Sequence, residues 1–168
     1  MLHKLLPELQ RLYLTRPGAE PSPASLVGPE GTVRALVMEL TRGPDWELLA
    51  RVWQGVQAEL DLPAPAIAVS GTDALQLWFS LAEPVAAAQA HAFLDGLQQR
   101  FLADVDPRRV RLLPSPDLLQ RAHPVPAKQA DTGNWSAFVA PDLAPVFGDT
   151  PWLDIPPNEE GQANLLRS

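Results

Sequence analysis

Residues 66–81, AIAVSGTDALQLWFSL, decide how this chain is read. Ile67 and Val69 alternate with small residues, and Leu75, Leu77, Phe79 and Leu81 alternate with Ala74, Gln76, Trp78 and Ser80. Alternation of period two sends successive side chains to opposite faces of a strand. Between the two runs stand Ser70, Gly71, Thr72 and Asp73, the residue types that a tight hairpin turn needs. The stretch therefore reads as two antiparallel strands with one apolar face. The opposite face carries Ser70, Gln76, Trp78 and Ser80.

Outward from this hairpin the pattern repeats on both sides. Thr32–Leu40 (TVRALVMEL) is β-branched and apolar and reads as a buried strand. Gly43-Pro44-Asp45 then opens a helix with an apolar stripe of Trp46, Leu49, Val52, Trp53, Val56 and Leu60, ended by Asp61-Leu62-Pro63. After the hairpin, Glu83-Pro84 reads as the start of a second long helix, with Val85, Phe93, Leu94, Leu97, Phe101 and Leu102 on one side. Arg109–Leu113 (RVRLL) follows as a short strand. The order strand, helix, strand, strand, helix, strand predicts an α+β fold of ferredoxin-like βαββαβ topology, an antiparallel sheet with two helices on one face. Leu36, Met38, Leu40, Ile67, Val69, Leu75, Leu77, Phe79, Leu81, Val110 and Leu112 should face those helices. Glu39, Thr41, Ser70, Gln76, Trp78, Ser80 and Arg111 should share the open face with Ala35, Val37 and Ala68.

This core spans 32–114, between an N-terminal helix and loop (1–31) and a C-terminal arm (115–168). Leu2, Leu5, Leu6, Leu9, Leu12 and Tyr13 lie at helical spacing over Leu2–Leu14, and residues 15–31 read as a Pro, Gly and Ser-rich loop. In the arm, Ser115–Ala122 reads as a helical turn, Lys128–Asn134 as a polar loop, and Trp135–Val139 as a fifth strand or an extended segment. Pro141–Phe147 offers helical turns and Pro157–Arg167 a terminal helix. Trp135, Phe138, Phe147 and Trp152 are too apolar for a free tail, so the arm is expected to dock on the core or on a second copy.

The chain has 168 residues, 46% of them hydrophobic, enough for one well-buried domain. With no cysteine it has neither disulfides nor a thiolate nucleophile or ligand. A net charge of −7 makes it a poor generic partner for nucleic-acid phosphates, although Arg100, Arg108, Arg109 and Arg111 form a local basic run. Its N-terminus has no secretory pattern and no run is long enough to span a bilayer, so a cytoplasmic location is expected. His3, His91 and His123 share no metal-ligand spacing. Gly28-Pro29-Glu30-Gly31 lacks the lysine of a phosphate loop, and no nucleophile elbow is present.

Two short motifs carry a resemblance. Met38-Glu39-Leu40-Thr41 at a strand end, and Ser70-Gly71 followed by Gln76-Leu77-Trp78, resemble the core of the archaeo-eukaryotic primase superfamily, in particular its plasmid replication primase branch. The resemblance covers Val33–Pro114. It places the first motif where that superfamily holds its Asp-x-Asp metal site and the second where it has its Ser-Gly and His/Gln motif. Nucleotidyl transfer by two metals needs clustered carboxylates. This chain has Glu39, then Thr41 in place of a second acid, and on the fourth strand Arg111, Leu112 and Leu113 with no acid.

The resemblance therefore implies a noncatalytic, primase-like binding or accessory module tied to a replication or mobile-element locus, with no catalytic residue, metal ligand or cofactor. Glu39, Thr41, Ser70, Gln76, Trp78 and Arg111 form its candidate ligand-binding set. Aromatics on an open sheet face stack single-stranded bases in other proteins, so single-stranded nucleic acid or a nucleotide is one partner class. A rival reading keeps a residual nucleotidyltransferase or nucleotide-binding activity with Mg²⁺ or Mn²⁺. A third is a homodimer built through the arm. The plainer reading makes Glu39 a solvated strand-end carboxylate, residues 70–73 a turn, and Trp78 a side chain covered by the arm.

Overall fold

The computed structural model describes residues 5–13, 31–42, 45–113, 125–130, 132–147 and 151–167. The elements are α1 (Leu5–Leu12), β1 (Thr32–Leu40), α2 (Trp46–Ala58), β2 (Ala66–Val69), β3 (Leu75–Ala86), α3 (Ala87–Phe101), β4 (Val110–Leu113), β5 (Ala127–Lys128), β6 (Trp135–Val139) and α4 (Glu159–Arg167). Short 3₁₀ turns lie at Pro107–Arg109 and Ala144–Phe147. The strands form one sheet in the order β4-β1-β3-β2-β6-β5, and each pair of neighbours is antiparallel.

Local chemistry explains most boundaries. Pro7 sits in the first turn of α1, where its missing N–H costs nothing. Asp45 caps α2, its Oδ1 accepting from Glu47 N at 2.9 Å. The second long helix starts later than the sequence predicts, at Ala87 and not at Glu83-Pro84. β3 continues to Ala86 because β1 keeps pairing with it on both sides of an irregularity: Ala35 faces Ser80 and Val33 faces Val85. Residues 81–84 bulge out between those pairs, and Arg34 Nε donates to the Leu81 carbonyl there at 2.9 Å. A bulge is where a strand tolerates a proline such as Pro84.

The predicted facing holds on the first side of the sheet. Leu36, Met38, Leu40, Ile67, Val69, Leu75, Leu77, Phe79 and Val110 join Leu49, Val52 and Val56 of α2 and Ala90, Leu94 and Leu97 of α3 in one buried core, with Leu81 and Leu112 at its margin.

The sheet is wider than the four predicted strands. Trp135–Val139 pairs with β2, and Ala127–Lys128, within or beside the predicted polar loop, pairs with β6. The loop expected over 15–31 lies, apart from Gly31, outside the described residues, as does the turn expected over 115–122. Residues 151–153 fasten the arm to the hairpin: Gly71 N donates to Pro151 O at 2.9 Å, and Trp135 and Leu153 exchange two backbone hydrogen bonds. Gly71 has φ +85°, and a Cβ there would come within 2.9 Å of Ser136 N. Only glycine fits both the left-handed backbone and the close approach.

The second face of the sheet is covered, not open. α1 and α4 lie on it, and Leu5, Leu9, Tyr13, Ala163 and Leu166 pack against Ala35, Val37, Ala68, Trp78, Leu113 and Phe138. Leu5, Leu9 and Tyr13 are four residues apart, so a single stripe of α1 faces the sheet. α4 also supplies a polar fastening. The Gln162 amide accepts from Phe138 N at 2.7 Å and donates to Phe138 O at 2.8 Å, and all three groups are buried. A side chain thus does for Phe138 what a neighbouring strand does elsewhere.

Candidate functional site

Strand register lines the candidate residues up in a row. Arg111 on β4 faces Glu39 on β1, Glu39 faces Gln76 on β3, Gln76 faces Ala68 on β2, and Ala68 faces Phe138 on β6. Directly opposed residues on neighbouring strands are within side-chain reach. Gln76 Nε2 donates to Glu39 Oε1 at 2.6 Å, and Trp78 Nε1 donates to Gln76 Oε1 at 2.8 Å. On the other side of Glu39, Arg111 Nη1 lies 3.4 Å from Oε2, and its Nη2 reaches Asp73 Oδ2 at 3.0 Å. The chain Trp78, Gln76, Glu39, Arg111, Asp73 is continuous and runs from the buried interior to solvent.

Burial decides what this chain can do. Glu39, Gln76 and Trp78 are only 6, 5 and 2% exposed. An amide and a guanidinium therefore hold a buried carboxylate that would otherwise be costly. Arg111 and Asp73 are about half exposed, so their own pairing contributes little.

Trp78 is enclosed by Tyr13, 5.1 Å away edge-on, and Phe138, 6.0 Å away edge-on. As folded it presents no face for base stacking. The physical reason is the N-terminal helix: its stripe is as apolar as the arm, and both claim the same side of the sheet. Thr41 is also buried and turns inward, its backbone N–H and Oγ1 both directed at Arg109 O. Ser70 organises the turn, its Oγ accepting from the backbone N–H groups of Thr72, Asp73 and Ala74 at 3.0–3.2 Å. Register thus brings Glu39, Gln76, Trp78 and Arg111 together, and leaves Thr41 and Ser70 in backbone roles.

Sequence reasoning took Asp73 only for a turn residue and did not join Tyr13, Phe138 and Gln162 to the row. The helical spacing of Tyr13 was visible, but its target was not.

Burial raises the Tyr13 phenol well above its ordinary value near 10, a shift that nearby Arg11 only partly opposes. The neutral phenol is the form that fits the folded state. Stability from this residue is therefore fully present below pH 10 and is lost as the pH rises beyond it. Because Tyr13 is the only tyrosine, the phenolate difference band near 295 nm, read above the tryptophan background, reports it alone. The expected result is no phenolate signal until the protein unfolds, and a shallower alkaline loss of stability in Tyr13→Phe. A reversible titration near pH 10 in the folded protein would contradict the burial.

Among the described residues no group of three or more His, Asp or Glu gathers to hold a metal ion, and no helix is long and apolar enough to cross a membrane. No protein-family model and no curated protein matches the chain. A search of solved structures finds the polymerase domain from Mycobacterium tuberculosis Ligase D in complex with DNA, at a TM-score of 0.51 and 17% identity. The match covers 92% of this chain and 56% of that one. The fold resembles that of this polymerase domain. At this identity the likeness extends to the fold alone, and the chain spans little more than half of that domain.

Proposed function

We propose that the protein is a noncatalytic, primase-like accessory module, in which an arginine of the chain takes the position that a catalytic divalent cation would need. The central strands in the order β4-β1-β3-β2, with α2 and α3 on one face, are its ferredoxin-like core. One observation carries the reading: Arg111 joins Glu39 and Asp73. The primase resemblance puts a metal site at Glu39, and there the carboxylate is buried, bonded to Gln76 and matched by a fixed positive charge. Two-metal catalysis needs several carboxylates open to cations and triphosphate. Thr41 cannot supply the missing one.

A cytoplasmic role at a replication or mobile-element locus fits this reading, with single-stranded nucleic acid or a protein as partner and no cofactor. Self-association through the arm is the second reading, favoured by the exposed Leu143, Val146 and Ile155.

The test uses the wiring of Trp78. A cation on Glu39 would disturb Gln76 and hence the indole, so tryptophan emission of the wild type, less that of Trp78→Phe, reports the site. Mg²⁺ or Mn²⁺ with ATP should leave the wild type unchanged, whereas Arg111→Ala, which removes the guanidinium between Glu39 and Asp73, should gain a saturable Mn²⁺ response. A metal-dependent ATP response in the wild type that disappears in Glu39→Ala would replace this reading with a nucleotidyltransferase. A salt-sensitive response to a single-stranded oligonucleotide would identify the partner class, and sedimentation of the same samples separates the dimer.

A further inference from the structure

A cavity of about 750 Å³ lies where the two cores of the protein meet. Leu36, Ile67 and Phe79 of the core under α2 and α3 line it, together with Tyr13, Trp78 and Phe138 of the core under α1 and α4. Leu62 and Phe93, also lining residues, are exposed, so apolar surface continues to the rim. The volume is that of an ordinary small-molecule site, about 300–1,000 Å³. Among the described lining residues Arg11 is the only charged one. The two indole N–H groups in the wall are already used: Trp53 Nε1 donates to Pro65 O at 3.1 Å, and Trp78 Nε1 to Gln76 Oε1 at 2.8 Å. Tyr13 differs. It is 2% exposed and packs on Trp78 and Phe138, and its phenol O–H has no hydrogen-bond partner among the described residues. A buried hydroxyl that bonds to nothing is costly, and in a folded protein it calls for a partner. Arg11 is close enough to act on that phenol electrostatically. Its Nε donates to Glu8 Oε1 and its Nη2 to Leu166 O, while Nη1 has no partner among the described residues.

We propose that this cavity binds a single-chain fatty acid, its carboxylate held by the Tyr13 O–H and the Arg11 guanidinium and its alkyl chain lying along the apolar walls. The head group follows from the donors. A carboxylate brings one negative charge and accepts from both groups. A phosphate monoester brings about 1.5–2 charges, more than one arginine already shared with Glu8 can match. A nucleotide fits less well still, since its sugar and phosphates would lose water against aromatic and aliphatic walls. The body of the ligand follows from those walls. A rigid ring system lies on one side of a sheet plane, whereas an alkyl chain bends and can touch both cores. Each methylene buried there adds to affinity. The inference rests on the cavity and stands apart from the reading of Glu39 and Arg111.

The probe is sodium decanoate, kept below its micelle concentration and titrated into the full chain by calorimetry. One decanoate per chain should bind and raise Tm, and octanoate, two methylenes shorter, should bind several-fold more weakly. Decyltrimethylammonium and decyl phosphate share the tail and should each bind at least about tenfold more weakly than decanoate. Tyr13→Phe removes the phenol oxygen and keeps the ring against Trp78 and Phe138, so it should lose about tenfold in decanoate affinity. Without ligand that variant should be at least as stable as the wild type, because the hydroxyl it lacks bonded to nothing. Arg11→Gln, at an exposed position, should lose a similar factor and erase the preference for decanoate over decyltrimethylammonium. Equal binding of the three decyl compounds, or a decanoate affinity unchanged in both variants, would overturn the carboxylate site in favour of plain apolar capture. Tighter binding of decyl phosphate than of decanoate would overturn the choice of head group. Neither heat nor a Tm shift at millimolar decanoate would overturn the proposal outright.

Discussion

Trp78→Ala is expected to lower folding stability by about 3–5 kcal/mol, the range for truncating a large buried aromatic. The side chain is 2% exposed and lies against Tyr13 and Phe138, so its removal opens a cavity between the sheet and the helix layer of α1 and α4. The Gln76 carbonyl loses its indole donor at the same time. For a domain of this size the change should appear as a drop in Tm on the order of 10 °C. Trp78→Phe keeps an aromatic ring but is smaller and lacks the N–H, so its cost should be lower, about 1–3 kcal/mol, from a lost buried hydrogen bond and a smaller cavity. Urea unfolding of the three proteins separates the terms. A loss below about 1 kcal/mol in Trp78→Ala would mean that α1 and α4 do not hold this face closed.

Gln162→Ala should be the next most damaging change. It deletes few atoms but strands two buried backbone groups of Phe138, each costing roughly 1–3 kcal/mol when left unpaired. A total of about 2–4 kcal/mol is expected. Hydrogen exchange gives a local signature. The Phe138 amide, protected in the wild type by the Gln162 carbonyl, should exchange much faster in the variant, while amides within α2 and α3 follow only the global change. Unchanged protection at Phe138 would show that water or a shifted α4 replaces the amide. The same variant weakens the arm against the sheet, so Tyr13, Trp78 and Phe138 should become more open to acrylamide quenching through the indole.

The chain by itself determined the central sheet and its first core. Period-two alternation in 66–81 and helical stripes in 46–60 and 93–102 are local signals, and a side chain's face follows from its place in the pattern. Ile67, Leu77 and Leu94 could hardly point anywhere but inward, and they do. The arginine, glutamate and glutamine of the row were picked out individually for the same reason. The local signal failed where tertiary pairing overrode it: Glu83-Pro84 has the chemistry of a helix start, yet β1 holds residues 85 and 86 in the sheet. Only the tertiary structure decided that the second face is covered. An apolar stripe on α1 and an aromatic arm each announce that something must be buried, but not against what, since many surfaces satisfy burial equally. Register chose among them. By putting Arg111, Glu39, Gln76, Ala68 and Phe138 in one row, it turned scattered polar residues into a linked set. Those contacts join residues far apart in the chain, and no local pattern encodes a distance of that kind.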